Sequence, residues 1–447
     1  MTTALDIPAG MHRRHFLMAS AGALAVPRFG RSSPNETVRV ACSGLRGRGK
    51  EHLDAFMDMP NVEIAAVCDV DDSVLQESVA HVLAKGKRRP AAHSDLRHAL
   101  EDKSIDAVSI ATPNHWHTLQ TVWSCQAGKD VYVEKPCTHN IFEARQIVAA
   151  ARRYGRIVQH GSQSRSSAAL QEAVDKMRGG LIGDLYLARA LCFRWRESIG
   201  RTPVEPVPPG VDYDLWLGPA PKRPFTRNRF HYNWHWFWDY GNGELGNQGC
   251  HEIDIARWGL GVRYPTRVSA TGGHFMFDDD QETPNTLTAN YEFVGPGGKK
   301  VLVVEIRHWI SNHEAGISET RNGPGKFYPN TIGNLFYGSG GYLAIDGYSS
   351  YRSWLGPKQE QGPAAAAYGD HFANFIGAVR TRNRASLAAE IEEGAISTTL
   401  VHLANISYRV GRTLYFDQAT FSCIGDEEAT SYFRRSYRPG FAVPEIV

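Results

Sequence analysis

Long apolar runs, paired cysteines and blocks of like charge are all scarce in this 447-residue chain. The most apolar stretch near the N-terminus, residues 19–26, is far shorter than the roughly 20 apolar residues a membrane-spanning helix needs. Membrane insertion is therefore not expected. Lysine and arginine (49) almost balance aspartate and glutamate (47), leaving a net charge of +2 with no basic cluster of the kind nucleic acids require. The seven cysteines (Cys42, Cys68, Cys125, Cys137, Cys192, Cys250, Cys423) contain no C-x-x-C pair. That spacing argues against a structural zinc site or a disulfide framework, and no metal is expected. They read instead as small buried apolar residues of a chain that folds under reducing conditions. No internal repeat is visible.

What remains is a globular composition, 42% hydrophobic, in a chain too long for one core, so two domains are expected. Ahead of them, His12-Arg13-Arg14-His15-Phe16-Leu17-Met18 precedes the weakly apolar run Ala19 to Val26, with Ala23-Leu24-Ala25 as a small-x-small cleavage site. This has the pattern of a twin-arginine export signal. Residues 1–33 are assigned to signal and linker, 34–163 to a nucleotide-binding domain and 164–447 to a second domain. The signal implies a periplasmic or otherwise exported protein.

Thr37 to Cys42 is a buried-strand pattern, followed by Gly44-Leu45-Arg46-Gly47-Arg48-Gly49 and a helix from Lys50 to Met57. A second strand, Glu63 to Cys68, ends in Asp69, twenty residues beyond Gly49. This is the β-turn-α-β unit of a dinucleotide fold, in which backbone amides receive a pyrophosphate and the acid binds the adenosine ribose. Gly44, Arg46, Gly47, Gly49 and Asp69 are the expected contacts. Asp69 favours NAD, because its carboxylate repels a 2′-phosphate, whereas Arg46 in place of the middle glycine leaves NADP open. Further units follow: a strand Ile105 to Ile110, the turn Ala111-Thr112-Pro113-Asn114-His115-Trp116-His117, and a helix near Gln120 to Ala127. After these come a strand to Glu134, a helix from Ile141 to Tyr154 and a strand from Arg156 to His160. Their turns fall at one sheet edge, so Thr112, Asn114, His117 and Glu134 are expected over the cofactor. Pro136 biases Lys135 toward extended backbone, aiming its ammonium off a strand end.

Taken together, the glycine turn, Ala-Thr-Pro-Asn-His-Trp-His (111–117), Glu-Lys-Pro (134–136) and Gly249-Cys250-His251-Glu252-Ile253-Asp254 resemble the Gfo/Idh/MocA oxidoreductases, relatives of glucose-fructose oxidoreductase and inositol dehydrogenase. The resemblance implies an α/β chain: an N-terminal Rossmann domain plus a C-terminal α/β domain with a large open, mostly antiparallel sheet that often supports oligomers. A homodimer or homotetramer is accordingly expected. It also implies Lys135 as the active-site lysine and His251 as the acid/base histidine, a side chain that titrates near neutral pH. Where the family often has an aspartate, four residues before the histidine, this chain has Asn247, which can bind a hydroxyl but cannot ionise. Asp254 reads as a residue that orients its helix.

The second half independently shows an alternating hairpin (Leu287 to Val294, then Val301 to Ile310), strands at 183–194 and 265–277, and an amphipathic helix from Glu390 to Gly411. Gly362-Pro363 and four alanines read as an exposed connection. The aromatic run from Phe230 to Tyr240 suits either sugar stacking or core packing. From it Trp236 and Tyr240, with Asn247 and the hinge residue Arg165, are expected to meet substrate; Gln163 also lies at the hinge. The expected activity is oxidation of a hydroxyl on a sugar, polyol or glycoside. Outside the cytoplasm no pool recharges a dissociable cofactor, so export implies a tightly bound NAD(P) and a hydride returned within the cycle. An alternative is redox-neutral glycoside cleavage, in which oxidation, elimination and re-reduction expel an aglycone. A non-catalytic NAD-binding role is disfavoured, because Lys135 and His251 are both present.

Overall fold

The computed structural model describes residues 37–295, 297–309, 311–318 and 330–447. The expected export signal, 1–33, lies outside the described residues, as does Ile310 at the end of the expected hairpin.

The first half alternates strand and helix: β1 (Val38–Ser43), α1 (Arg48–Met57), β2 (Val62–Cys68), α2 (Asp72–Ala84), β3 (Ala91–His93) and α3 (Leu96–Leu100). It continues with β4 (Ala107–Ile110), α4 (Asn114–Gln126), β5 (Asp130–Val133), α5 (Ile141–Arg153) and β6 (Val158–His160). The strands form one parallel sheet in the order β3-β2-β1-β4-β5-β6. Helices cover both faces, which is why the central strands β1, β4 and β5 are almost continuously buried. The strand order reverses between β1 and β4, and a crevice opens there at the carboxyl ends of the strands.

Helix α4 begins at Asn114, six residues ahead of the start expected from Gln120. Asn114 to His117 are mediocre helix formers, so local propensity hides this turn. Tertiary bonds select it: the His115 and Trp116 rings both reach the Trp216 carbonyl, at 2.9 and 3.0 Å.

The second half opens with α6 (Ala168–Arg178), β7 (Leu185–Phe193), α7 (Tyr213–Leu217), α8 (Gly243–Asn247) and α9 (Gly249–Leu260). Strands β8 (Arg267–Gly273), β9 (Thr286–Gly295), β10 (Gly298–Arg307), β11 (Thr331–Gly338), β12 (Gly341–Asp346), β13 (Ser350–Leu355) and β14 (Glu360–Ala366) follow. Last come α10 (His371–Thr381), α11 (Ile391–Val410), β15 (Leu414–Asp417), β16 (Ser422–Cys423) and α12 (Glu427–Ser431). The ten-stranded sheet runs β14-β13-β12-β11-β7-β10-β9-β8-β15-β16, antiparallel except where β7 meets β10. Its inner face packs against α6, α9 and α11 around Ile253, Ala256, Leu400 and Leu403.

The Gly-Pro-Ala segment, read as a connection, is the edge strand β14. Pro363 lacks an N–H, which an edge position tolerates, and alanines carry little strand signal of their own. Helix α10, unexpected from sequence, returns to the nucleotide-binding sheet and lodges Phe375, Ile376 and Val379 in the core beside β1 and β2. Hydrogen bonds tie this return to β6: Gln159 Nε2 donates to the His371 carbonyl (2.7 Å), and His160 N donates to Ala389 O (2.9 Å). All seven cysteines are buried free thiols.

Candidate active site

A cavity of about 410 Å3 occupies the crevice, running from the glycine turn to the start of α9. Gly44, Arg46, Gly47, Asp69, Thr112, Asn114, His117, Glu134, Lys135, Asn247 and His251 all line it. Sequence-distant segments meet here because parallel strands present their carboxyl ends on one side.

Two glycines of the turn answer to backbone packing. A Cβ on Gly49 would sit 1.8 Å from the Gly44 carbonyl oxygen, and one on Gly44 would lie 2.6 Å from the Ala111 and Thr112 backbone. Gly49 therefore serves the close approach of α1 to the sheet and does not line the cavity. The N-terminus of α1 has no side-chain cap, so its amides offer an anion site. Asp69 accepts from the Leu45 and Asp71 amides at 2.9 and 3.0 Å, which holds its carboxylate at the turn. Arg46 forms an ion pair with Asp71. An uncapped helix start, a carboxylate at the end of β2 and a cavity lined by both fit a dinucleotide.

Glu134 is the centre of a buried polar network. It accepts from Arg48 Nε at 2.9 Å and lies 3.0 Å from His52 Nε2, whose other ring nitrogen meets Ser109 Oγ at 2.7 Å. Burial opposes its ionisation, yet Arg48 and His52 hold its carboxyl well below the usual carboxylate range. His117 joins two cavity loops, its ring nitrogens lying 2.7 Å from Pro136 O and 2.6 Å from Thr112 O. Asn114 donates to Asn242 Oδ1 at 3.0 Å, and Asn242 leads directly into α8.

At the opposite end, the Lys135 ammonium donates to the Asn247 carbonyl at 2.6 Å. The Asn247 amide donates to Glu244 Oε2 (3.1 Å) and to the Tyr232 hydroxyl (3.3 Å). His251, in the first turn of α9, is buried, and its Nδ1 has no hydrogen-bond partner among the described residues. Burial first, and then the nearby Lys135 ammonium, keep its imidazole well below its ordinary titration range. A neutral imidazole that lines the cavity beside an ammonium has the chemistry to take up a hydroxyl proton.

Three residues expected at substrate do not line this cavity. Arg165 is buried and spends its guanidinium on Asp254, at 2.7 and 2.9 Å. Asp254 accordingly anchors α9 to the hinge, with Ser397 donating to it at 2.6 Å. Trp236 and Tyr240 are buried in the aromatic core around Trp216, where the Tyr240 ring centroid lies 4.8 Å from that of Trp216. The aromatic run divides. Phe230, His231, Tyr232, Trp234 and His235 face the cavity, while Trp236, Phe237 and Tyr240 pack away from it. Compositional density cannot separate these faces, since the run follows neither a helix nor a strand period.

Sequence reasoning also passed over Arg48, Gln120, Arg194 and Tyr348. Gln120 receives hydrogen bonds from Ser43 and Thr112 at 3.2 and 3.3 Å. The Tyr348 ring centroid is 5.0 Å from that of His251, and its hydroxyl accepts from Gln248. Arg48 carried a signal as a member of the glycine turn, and Arg194 as the last residue of an expected strand.

Residues 38–162 match the oxidoreductase family's NAD-binding Rossmann fold, and residues 178–281 and 347–443 match its C-terminal alpha/beta domain. The chain belongs to the Gfo/Idh/MocA oxidoreductase family. Among curated proteins it is similar to a glycosyl hydrolase family 109 protein of Shewanella pealeana, 34% identical over 170 residues, covering 32% of this chain and 37% of that protein. The match thus spans little more than a third of that relative. Solved structures of similar fold include the WlbA dehydrogenase from Bordetella pertussis in complex with NADH and UDP-GlcNAcA (20% identity, TM-score 0.60, 85% of this chain and 99% of that one). A levoglucosan dehydrogenase in complex with NADH and levoglucosan aligns similarly (17% identity, TM-score 0.62, 85% and 99%).

Proposed function

We propose that this chain is an NAD-dependent oxidoreductase acting on a hydroxyl of a sugar, polyol or glycoside, with the nucleotide retained and the hydride returned within the catalytic cycle. The observation that carries this reading is the neutral His251 beside the Lys135 ammonium in the cavity that the glycine turn also lines. A bound nicotinamide supplies the hydride acceptor. His251 takes the hydroxyl proton, and the Lys135 ammonium, held by the Asn247 carbonyl, stabilises the developing alkoxide. NAD over NADP is favoured by two carboxylates, Asp69 and Asp71, at the end of β2. Arg46, the cation that would otherwise meet a 2′-phosphate, is occupied by Asp71. Retention of the nucleotide and a periplasmic setting rest on the twin-arginine pattern alone.

Replacing Lys135 by Ala is expected to lower turnover at least 100-fold while leaving nucleotide stoichiometry unchanged. An unchanged rate in that variant refutes the assignment. Redox-neutral glycoside cleavage is the second reading, favoured by the glycosyl hydrolase family 109 relatives and by the tyrosines that the fold brings to His251 and Asn247. Release of the aglycone from an aryl glycoside without net NADH formation would select it.

A further inference from the structure

Among the described residues, the wall that those beyond 162 contribute to the cavity contains no aspartate or glutamate and a single cation, Arg194. Every carboxylate lining the cavity (Glu51, Asp69, Asp95, Glu134) comes from the nucleotide-binding half. Three of them are already paired with arginines: Glu51 and Glu134 with Arg48, and Asp95 with Arg97. Asp69 accepts two backbone amides. Among the described residues, none of these is left to neutralise Arg194.

Arg194 directly follows β7, a central strand of the ten-stranded sheet, so its backbone is rigidly placed. Its guanidinium makes one side-chain hydrogen bond among the described residues, from Nη1 to Gln248 Oε1 at 2.9 Å. A guanidinium carries five N–H donors in a planar fork. Two residues along, Arg196 has a carboxylate partner, its Nη2 donating to both oxygens of the buried Glu244 at 3.0 and 3.1 Å, whereas the partner of Arg194 is an amide. The contrast marks Arg194 as the arginine held back for a ligand.

The acid-free wall also gives Asn247 a reason. An amide preserves the hydrogen bonds to Glu244 and Tyr232. An aspartate at that position would set a negative charge against an anionic ligand bound between Lys135 and Arg194. We infer that the sugar oxidised here carries an anionic oxygen pair, a carboxylate or a phosphate, which Arg194 receives in a forked, charge-assisted contact. The inference rests on the oxidoreductase reading for its reaction but not for its ligand.

The test is equilibrium binding of glucose, glucuronate and glucose 6-phosphate to the full, nucleotide-loaded chain at low ionic strength, followed by turnover of each. One anionic sugar is expected to bind at least about tenfold more tightly than glucose, with the preference shrinking as salt rises. Whichever binds more tightly identifies the source of the anion. Arg194→Gln is expected to abolish the preference and Arg194→Lys to restore part of it, with nucleotide content unchanged in both. Glucose bound as tightly as the anionic sugars, a preference that survives Arg194→Gln, or no binding of any of the three overturns the inference. Anionic sugar bound through Arg194 but never oxidised would instead sink the oxidoreductase reading and leave this one standing. Neutral sugars oxidised without preference would do the reverse.

Discussion

Glu252 adjoins His251 on α9, and its surroundings set a pH dependence of their own. It is fully buried, one carboxyl oxygen accepts from Gln248 at 3.1 Å, and the other has no hydrogen-bond partner among the described residues. Burial pushes its carboxyl up to about 8 from an ordinary 4.5. Between those values the folded chain keeps a proton that the unfolded chain releases. The associated stability is complete below about pH 4.5 and is lost as pH rises through about 8. The slope from this one group is at most about 1.4 kcal/mol per pH unit. Glu252→Gln, which cannot ionise, is expected to gain stability relative to the native chain as pH rises from 5 to 8. Urea unfolding at several pH values checks this, and parallel pH profiles for the two proteins would dismiss the buried neutral acid. At this scale Lys135, His251 and Asp69 were legible because each sits at a motif position with defined backbone geometry. Arg165 was not, since whether an arginine at a hinge faces a ligand or a buried carboxylate depends on Asp254, 89 residues away.

Helix α10 is the element with the largest unannounced consequence. Phe375 is fully buried against the nucleotide-binding sheet, with its ring centroid 5.9 Å from that of Tyr132 on β5. The strand end just beyond Tyr132 carries Glu134 and Lys135. Phe375→Ala is expected to cost about 3–5 kcal/mol of stability, read by urea unfolding, and to weaken nucleotide retention by loosening β5. Retention equal to the native chain's would show that β5 is held without α10. The long helix α11 was readable from its period and from Gly411, which adopts a left-handed conformation at its C-terminus. By contrast, α10 was hidden because its apolar residues answer to a sheet formed by residues far upstream. The edge strand β14 was hidden because glycine, proline and alanine encode no alternation, and its pairing with β13 supplies the order instead.

For the whole molecule, export and retained nucleotide form a single hypothesis with one decisive measurement. The mature protein, purified without added cofactor and then denatured, is expected to release about one equivalent of NAD, identified by mass. Release of NADP would reverse the reading of Asp69, Asp71 and Arg46, and an empty protein would remove the closed hydride cycle. The sequence by itself determined the Rossmann unit, the family and the order of the segments that line the cavity. Each of these is written in short-range signals: strand period, glycines that permit close backbone approach, and a proline after Lys135. Only the tertiary structure decided which aromatics face the cavity, that Arg165 is consumed by Asp254, and that Arg194 meets the amide of Gln248 and no carboxylate among the described residues. Those outcomes depend on burial and charge pairing between segments that meet only when the two sheets are in place.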